Sequence, residues 1–396
     1  MSIHPRNPTS AYVDEARPLR VAVNAVPLLS PLTGIGHYAK ALMEAHAASG
    51  KTESNYFYAT GWHASIRSTP LALPINRLKQ IARFFPKSYE FSRWLQQKNF
   101  TKGLRNWKAE VYHEPNFLSF SFDGPTVLTV HDLSWIRHPE AHPVERVRIM
   151  NKFFELSLNR ATRIITDSDF VKSELIQTFG IRPEHIHAIH LAATGDFKPL
   201  DAGETAGLLA SRNLAHGQYW VAVGTLEPRK NLQLLLRAFM RLEQRDRQRC
   251  PLVIVGMLGW GYDSLLKELE RMMASGEVIL AGYMPRADQA TLLAGAKALI
   301  YPSIYEGFGL PLVEAMQSGV PVIAANASCL PEVLGNAGLL IDPYDDAALG
   351  SLMASLLSDQ STCDQLAKQS LDRSRSFSWD ICAAKTYDVY LEALQA

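Results

Sequence analysis

The sequence lacks any uncharged apolar run near the roughly 18–20 residues that cross a bilayer. Its first residues, MSIHPRNPTSAYVDEARP, lack the apolar core of a secretory signal, so a cytoplasmic location is expected. Cysteine is scarce: Cys250, Cys329, Cys363 and Cys382 all lie in the second half and none has CxxC spacing. Neither a disulfide framework nor a zinc site is expected. Low-complexity tracts and short-period repeats are missing, and 47% hydrophobic with 20% charged residues over 396 positions excludes disordered, collagenous and fibrous classes. A dinucleotide fingerprint is missing too, because the early Gly34-Ile35-Gly36 has no third glycine and no following acidic residue at the expected distance.

What is present is enough chain for two domains. Short β-branched runs alternate with helical-period segments, the pattern of crossover units around parallel sheets. In the first half, strands are expected at 19–26, 55–60, 110–115, 126–132, 163–168 and 185–192. In the second half they are expected at 219–225, 251–257, 278–283, 298–303, 320–325 and 338–342. The stretch Phe197 to Gly217 has Pro199 and three glycines without a strand pattern, which marks a boundary. The fold class is therefore α/β, with two Rossmann-like domains facing across a cleft. The last segment starts with Ser378 as a cap and reads as an amphipathic closing helix through Trp379, Ile381, Cys382, Thr386, Val389, Tyr390 and Leu394.

The net charge of +1 hides an asymmetry. Between Arg67 and Lys108 ten basic residues meet one acid, Glu90, interleaved with Phe84, Phe85, Tyr89, Phe91, Trp94, Phe100 and Trp107. Cations among aromatics suit an anionic membrane interface; a nucleic-acid groove or a solvated helical face would use the same residues.

Four stretches at strand ends carry candidate chemistry. In Tyr305-Glu306-Gly307-Phe308-Gly309-Leu310-Pro311-Leu312-Val313-Glu314, Pro311 suits a first helical turn, and the glycines expose amides at a positive helix end, a place for a diphosphate. Glu306 then lies before the helix and Glu314 about one turn inside it. In Gly224-Thr225-Leu226-Glu227-Pro228-Arg229-Lys230-Asn231, two adjacent cations can neutralise phosphate oxygens, Arg229 as a planar fork and Lys230 as a point charge. Gly34 and Gly36 allow a close approach to a ligand before a helix over 35–48. His131, in Val130-His131-Asp132-Leu133, ends a strand where ligands of open α/β sheets bind. Each reads alone as an ordinary helix-start charge, turn glycine or structural histidine. Asp167-Ser168-Asp169 matches a metal-binding DxD, but its place before a helix makes it a cap. No metal site is expected.

Together these motifs resemble the retaining, nucleotide-sugar-dependent glycosyltransferases of family 4, which have the GT-B fold. The likeness runs from about Val21 to Leu394 and is strongest in GTLEPRKN, YPSIYEGFGLPLVEAMQSGVPVIAAN and the closing FSWD. It implies an acceptor-binding domain over 1–198, a nucleotide-sugar-binding domain over 199–379, and a helix over 380–396 that packs back on the first domain. It implies further that Glu306 holds hydroxyls of the transferred sugar, that Phe308, Gly309 and Leu310 supply loop amides, and that Glu314 binds ribose. Arg229 and Lys230 would bind the phosphates, Gly34 and Gly36 would form the first-domain loop, and His131 would face the sugar. Thr225 stands where many members have an arginine.

The resemblance implies no metal and no cofactor beyond the nucleotide sugar as co-substrate. Details around PLTGIGHY, HDLSW and GTLEPRKN look most like bacterial mannosyl- or rhamnosyltransferases of surface-polysaccharide assembly. The expected partners are then a GDP-sugar, a lipid-linked saccharide acceptor and, through residues 67–108, the anionic inner face of the plasma membrane, with no nucleic acid. A nucleotide-sugar epimerase and a non-catalytic two-domain sugar-binding protein are the competing readings.

Overall fold

Runs such as Leu252–Val255 and Ala298–Tyr301, apolar at successive positions, make strands only where both faces are covered, as in a parallel sheet under helices. The computed structural model describes residues 17–30, 32–67, 88–105, 107–257 and 263–396. It has two such sheets. The first contains β1 (Leu19–Asn24), β2 (Thr52–Phe57), β3 (Trp62–His63), β4 (Val111–Glu114), β5 (Thr126–Val130), β6 (Arg163–Thr166) and β7 (Ile186–Ala188), in the order β3-β2-β1-β4-β5-β6-β7. The second contains β8 (Trp220–Val223), β9 (Leu252–Val255), β10 (Val278–Gly282), β11 (Ala298–Tyr301), β12 (Val322–Ala325) and β13 (Leu339–Ile341), in the order β10-β9-β8-β11-β12-β13.

Every expected strand is present, most of them trimmed at the ends, while the one expected at 55–60 runs from Thr52 to Phe57. The sequence missed β3, which pairs antiparallel to β2 through Tyr56 with His63 and Phe57 with Trp62. Two residues carry no hydrophobic period, so only that pairing makes them a strand. The basic segment 67–108 is described in part, since 68–87 and 106 lie outside the described residues.

The helices that matter for the site are α1 (Gly34–Ser49), α2 (Ser88–Leu104), α3 (Asp169–Phe179), α4 (Ala202–Ala210), α5 (Leu232–Met240), α6 (Arg286–Ala294), α7 (Leu310–Gln317), α8 (Leu330–Leu334) and α9 (Trp379–Leu394). The Phe197 to Gly217 stretch is not bare loop. It contains α4, started by a capping box between Asp201 and Glu204 and packed on α6 beside the second sheet.

Helix α9 starts at Ser378, whose hydroxyl accepts from the Asp380 amide, a cap worth about 1 kcal/mol. It packs on α1 and against β4, β5 and β6, so the end of the chain closes the first sheet. Its buried face is Cys382, Ala383, Thr386, Val389, Tyr390 and Ala393. Ile381, expected on that face, is 46% exposed. It precedes Cys382 by one residue, a rotation of about 100° at 3.6 residues per turn, which carries it to the solvent side.

Strand order reverses between β1 and β4 in the first sheet and between β8 and β11 in the second. Loops leaving neighbouring strands at these switch points diverge and open a crevice at the carboxyl edge. The two edges meet: the amide of Leu133, after β5, donates to the Tyr305 hydroxyl, after β11, at 2.9 Å. No helix among the described residues is long and apolar enough to cross a membrane.

Candidate active site

At the β8/β11 switch point, Gly224, Thr225, Lys230, Tyr301, Pro302 and Ser303 line a hollow. Pro228–Lys230 forms one 3-10 turn, and Asn231 ends it in the left-handed region at φ 56°, which asparagine tolerates. The Asn231 amide donates to the carbonyls of Pro302 at 3.2 Å and Pro343 at 2.7 Å, tying this turn to the loops after β11 and β13. Arg229 and Lys230 are thereby held between the two loops.

Glu306 lies at the centre and is 7% exposed. Its Oε1 accepts from the Tyr301 hydroxyl at 3.0 Å and from Lys230, while Oε2 lies 3.5 Å from Arg229. Its backbone amide donates to Ser328 Oγ at 3.0 Å. Burial pushes the Glu306 carboxyl up, but Lys230 and Arg229 outweigh burial and hold it below its ordinary value. Arg229 also pairs with Glu227 at 2.5 Å and donates to the Tyr305 carbonyl at 3.1 Å. Burial works against its charge, and Glu306, Asp132 and Glu227 together keep it protonated.

Gly309 caps α7 with φ 87°, a left-handed backbone that disfavours any side chain, and a Cβ there would also press on Leu330 Cδ2 at 2.9 Å. Pro311 sits in the first turn, leaving the end of α7 with free amides near Phe308 and Leu310. Glu314 is 2% exposed and does not reach open space. It pairs with Arg286 of α6 at 2.7 Å and accepts from Gln289 at 3.3 Å. Burial raises its pKa despite Arg286.

From the first domain, His131 approaches the same place but turns its ring away. Nδ1 lies 2.7 Å from Asp167 Oδ2 and Nε2 lies 2.8 Å from the Pro115 carbonyl. Both ring nitrogens are engaged, so none is left for a sugar, whatever charge the ring carries. Burial opposes a positive charge there and Asp167 overcomes it, raising the His131 pKa. Its backbone oxygen instead faces Gly307, where a Cβ would lie 1.7 Å away. Gly34 begins α1 in open space; Gly36 is packed on Leu32.

Two further residues belong here that the sequence reading passed over. Asp132 accepts from the Ser134 amide and hydroxyl at 2.9 and 2.7 Å and faces Arg229 from the opposite domain. Burial pushes its carboxyl up, and Arg229 and Ser134 bring it below the ordinary value. Arg286 stacks on Phe197 at 4.3 Å, and burial, reinforced by Arg286 and Lys40, holds His37 down to about 4. Its place at the carboxyl end of β10 is the same positional signal that picked out His131. Asp167 is buried on His131 and Asp169 is exposed at the start of α3, so the two carboxylates do not share a point. Ser168 caps α3 by accepting from the Val171 amide, as expected.

The arrangement places Arg229, Lys230, Glu306, Asp132 and helix-start amides in one crevice between the sheets. That equipment grips an anionic leaving group and polar hydroxyls side by side.

Both halves of the chain are similar to known proteins. The family model described as "Glycosyltransferase Family 4" matches residues 33–193, and "Glycosyl transferases group 1" matches 213–373. The O-antigen chain mannosyltransferase B of Escherichia coli is 36% identical, covering 94% of this chain and 99% of the relative. The serotype-specific mannosyltransferase WbdA of Escherichia coli is 28% identical over 68% of this chain and 34% of its own length. Among solved structures, sucrose-phosphate synthase from Thermosynechococcus elongatus has a TM-score of 0.73 at 20% identity, covering 94% of this chain and 98% of that one. WaaG, a glycosyltransferase involved in lipopolysaccharide biosynthesis, has 0.69 at 15%, covering 94% and 99%. These two likenesses show the GT-B fold. A match in both halves and a relative this similar over nearly its whole length place the chain in glycosyltransferase family 4, the retaining enzymes of group 1.

Proposed function

We propose that this glycosyltransferase moves a mannosyl group, with retention, from GDP-mannose to a lipid-linked saccharide of O-antigen type. The single observation that carries the site is the cluster of Arg229, Lys230 and Glu306 at the β8/β11 switch point, facing His131 and Asp132 across the cleft. The 36% relative supports the sugar and the acceptor class. The domains divide near residue 198, the first binding the acceptor and the second the donor.

In the donor complex the diphosphate lies against Arg229, Lys230, Thr225 and the amides of Phe308, Gly309 and Leu310, with Gly34 and Gly36 over it. Lys230 is engaged by Glu306 in this structure. Donor binding therefore exchanges partners: the diphosphate takes Lys230, and Glu306 turns to sugar hydroxyls. Glu314 reaches ribose when Arg286 yields. The acceptor hydroxyl attacks the anomeric carbon from the face the diphosphate leaves. The anomeric carbon–phosphate oxygen bond breaks, the new glycosidic bond forms, and the departing phosphate oxygen takes the acceptor's proton. His131, with both nitrogens committed, is not the base. Arg229 and Lys230 stabilise charge as it develops, which is where most of the rate enhancement arises.

The exposed side of α2 carries Phe91, Trp94 and Leu95, with Lys98 3.6 Å above the Trp94 ring. This face docks the enzyme on the anionic inner leaflet where its acceptor resides. Flotation with anionic liposomes at low salt, lost in Trp94→Ala, is the expected result; indifference to anionic lipid would refute docking. The function itself is tested by offering GDP-mannose, UDP-glucose and ADP-glucose with a lipid-linked mannoside and analysing product linkage. Transfer from GDP-mannose with an α-linkage is expected, and turnover of a UDP-sugar alone would overturn the donor assignment.

A further inference from the structure

The tripeptide Asp167-Ser168-Asp169 takes no part in the chemistry above, yet each of its residues is engaged at the cleft. Asp167 fixes the His131 ring. Ser168, fully buried, caps α3 and at the same time donates its hydroxyl proton to the Gly307 carbonyl of the opposite domain at 2.6 Å. The amides of Asp169 and Phe170, the first free donors of α3, are taken by Glu332 of α8 at 2.9 and 3.1 Å, one on each carboxylate oxygen. His190 adds a third contact to Glu332 at 2.7 Å. Glu332 is itself anchored, because Arg373 donates to its backbone carbonyl at 2.8 Å and to that of Val333 at 3.1 Å.

A carboxylate from one domain thus sits on the helix N-terminus of the other, where the aligned peptide dipoles favour negative charge. Ionised hydrogen bonds of this kind are the strong ones. Between 139 and 163 residues of sequence separate the partners across the cleft, so these contacts report the relation of the two domains and nothing local.

We propose that Glu332 and the Asp167–Ser168–Asp169 turn form a clasp that fixes the closed arrangement of the two domains, setting the Glu306–Gly309 loop against His131. Glu332 is a positioning residue: it touches no reacting atom and acts through α3 and the loop. The inference deepens the transferase reading and rests on it for its catalytic consequence.

The test uses the whole chain. Because all four cysteines are buried, spin labels on cysteines introduced at exposed Gln177 and Ser351 report the distance between domains. Glu332→Ala removes hydrogen bonds accepted by a charged carboxylate, so kcat for mannosyl transfer falls about tenfold or more. The dissociation constant for GDP stays within about twofold, since the β8/β11 hollow is untouched. The label distance lengthens and broadens. Unchanged kcat or an unchanged distance overturns the clasp, and so does GDP affinity falling in step with kcat, which would make Glu332 a support of the nucleotide domain alone. Should Glu332→Ala fail to fold, Glu332→Gln, which keeps the shape and one acceptor oxygen, carries the same test in the same direction. If wild-type enzyme transfers nothing from GDP-mannose while the variant still opens, the donor assignment fails and the clasp stands.

Discussion

Replacing Gly307 by alanine puts one methyl group into the seam between the domains. The new Cβ would lie 1.7 Å from the His131 carbonyl oxygen and 3.1 Å from Asp132 Cβ. Real Cβ contacts essentially never fall below 3.0 Å, so the seam must open by at least about 1.3 Å at this point. Gly307 is not in the left-handed region, so alanine suits its own backbone and all the strain comes from across the cleft. Displacing reacting groups by about 1 Å costs on the order of a hundredfold in rate. We expect Gly307→Ala to lose about that much kcat while retaining its melting temperature and GDP affinity. Steady-state transfer, calorimetry against GDP and thermal unfolding measure the three quantities. A kcat within about threefold of wild type would refute the inference that this closed contact is the productive one.

Lys230→Ala should lower kcat by about a hundredfold or more, the loss seen when one charge-stabilising donor is removed, and Glu306→Gln should impair transfer more than GDP binding. Near-normal turnover in both would reject the site. Arg286→Ala leaves the Glu314 carboxylate buried without its cation, so denaturant unfolding should show a loss of about 3–5 kcal/mol. A loss under about 1 kcal/mol would argue against that pairing. His46 and His113, both buried between α1, α9 and the first sheet, are pushed by burial down to about 4 and about 3. Native chain keeps them neutral while unfolded chain takes up protons below about 6.5. Stability from these two is therefore complete above pH 6.5 and falls as pH drops toward 4, by about 1.4 kcal/mol per pH unit for each group. A flat unfolding free energy between pH 6.5 and 4.5 would contradict it.

The strands, the capped ends of α3, α7 and α9, and the order of the motifs were legible because each follows from local chemistry. Consecutive apolar residues mark a doubly covered strand, and Ser168, Pro311 and Ser378 mark helix starts by what their atoms can bond. Ile381 was misplaced because an apolar residue beside the buried stripe looks the same in sequence as one within it. Strand β3 was missed because its identity lies in its partner.

The sequence alone determined the two parallel sheets, the glycine and cation loops at their carboxyl ends, and the family to which those motifs belong. Tertiary structure decided which groups are spent on one another. It turned the His131 ring toward Asp167 and Pro115, paired Glu314 with Arg286, brought Asp132 to Arg229, and made a presumed helix cap half of an interdomain clasp. The reason is physical: propensity and capping act within a few residues of chain. The partner of a buried charge is fixed by which distant segments the packed sheets bring within hydrogen-bond reach, and no local pattern carries that distance.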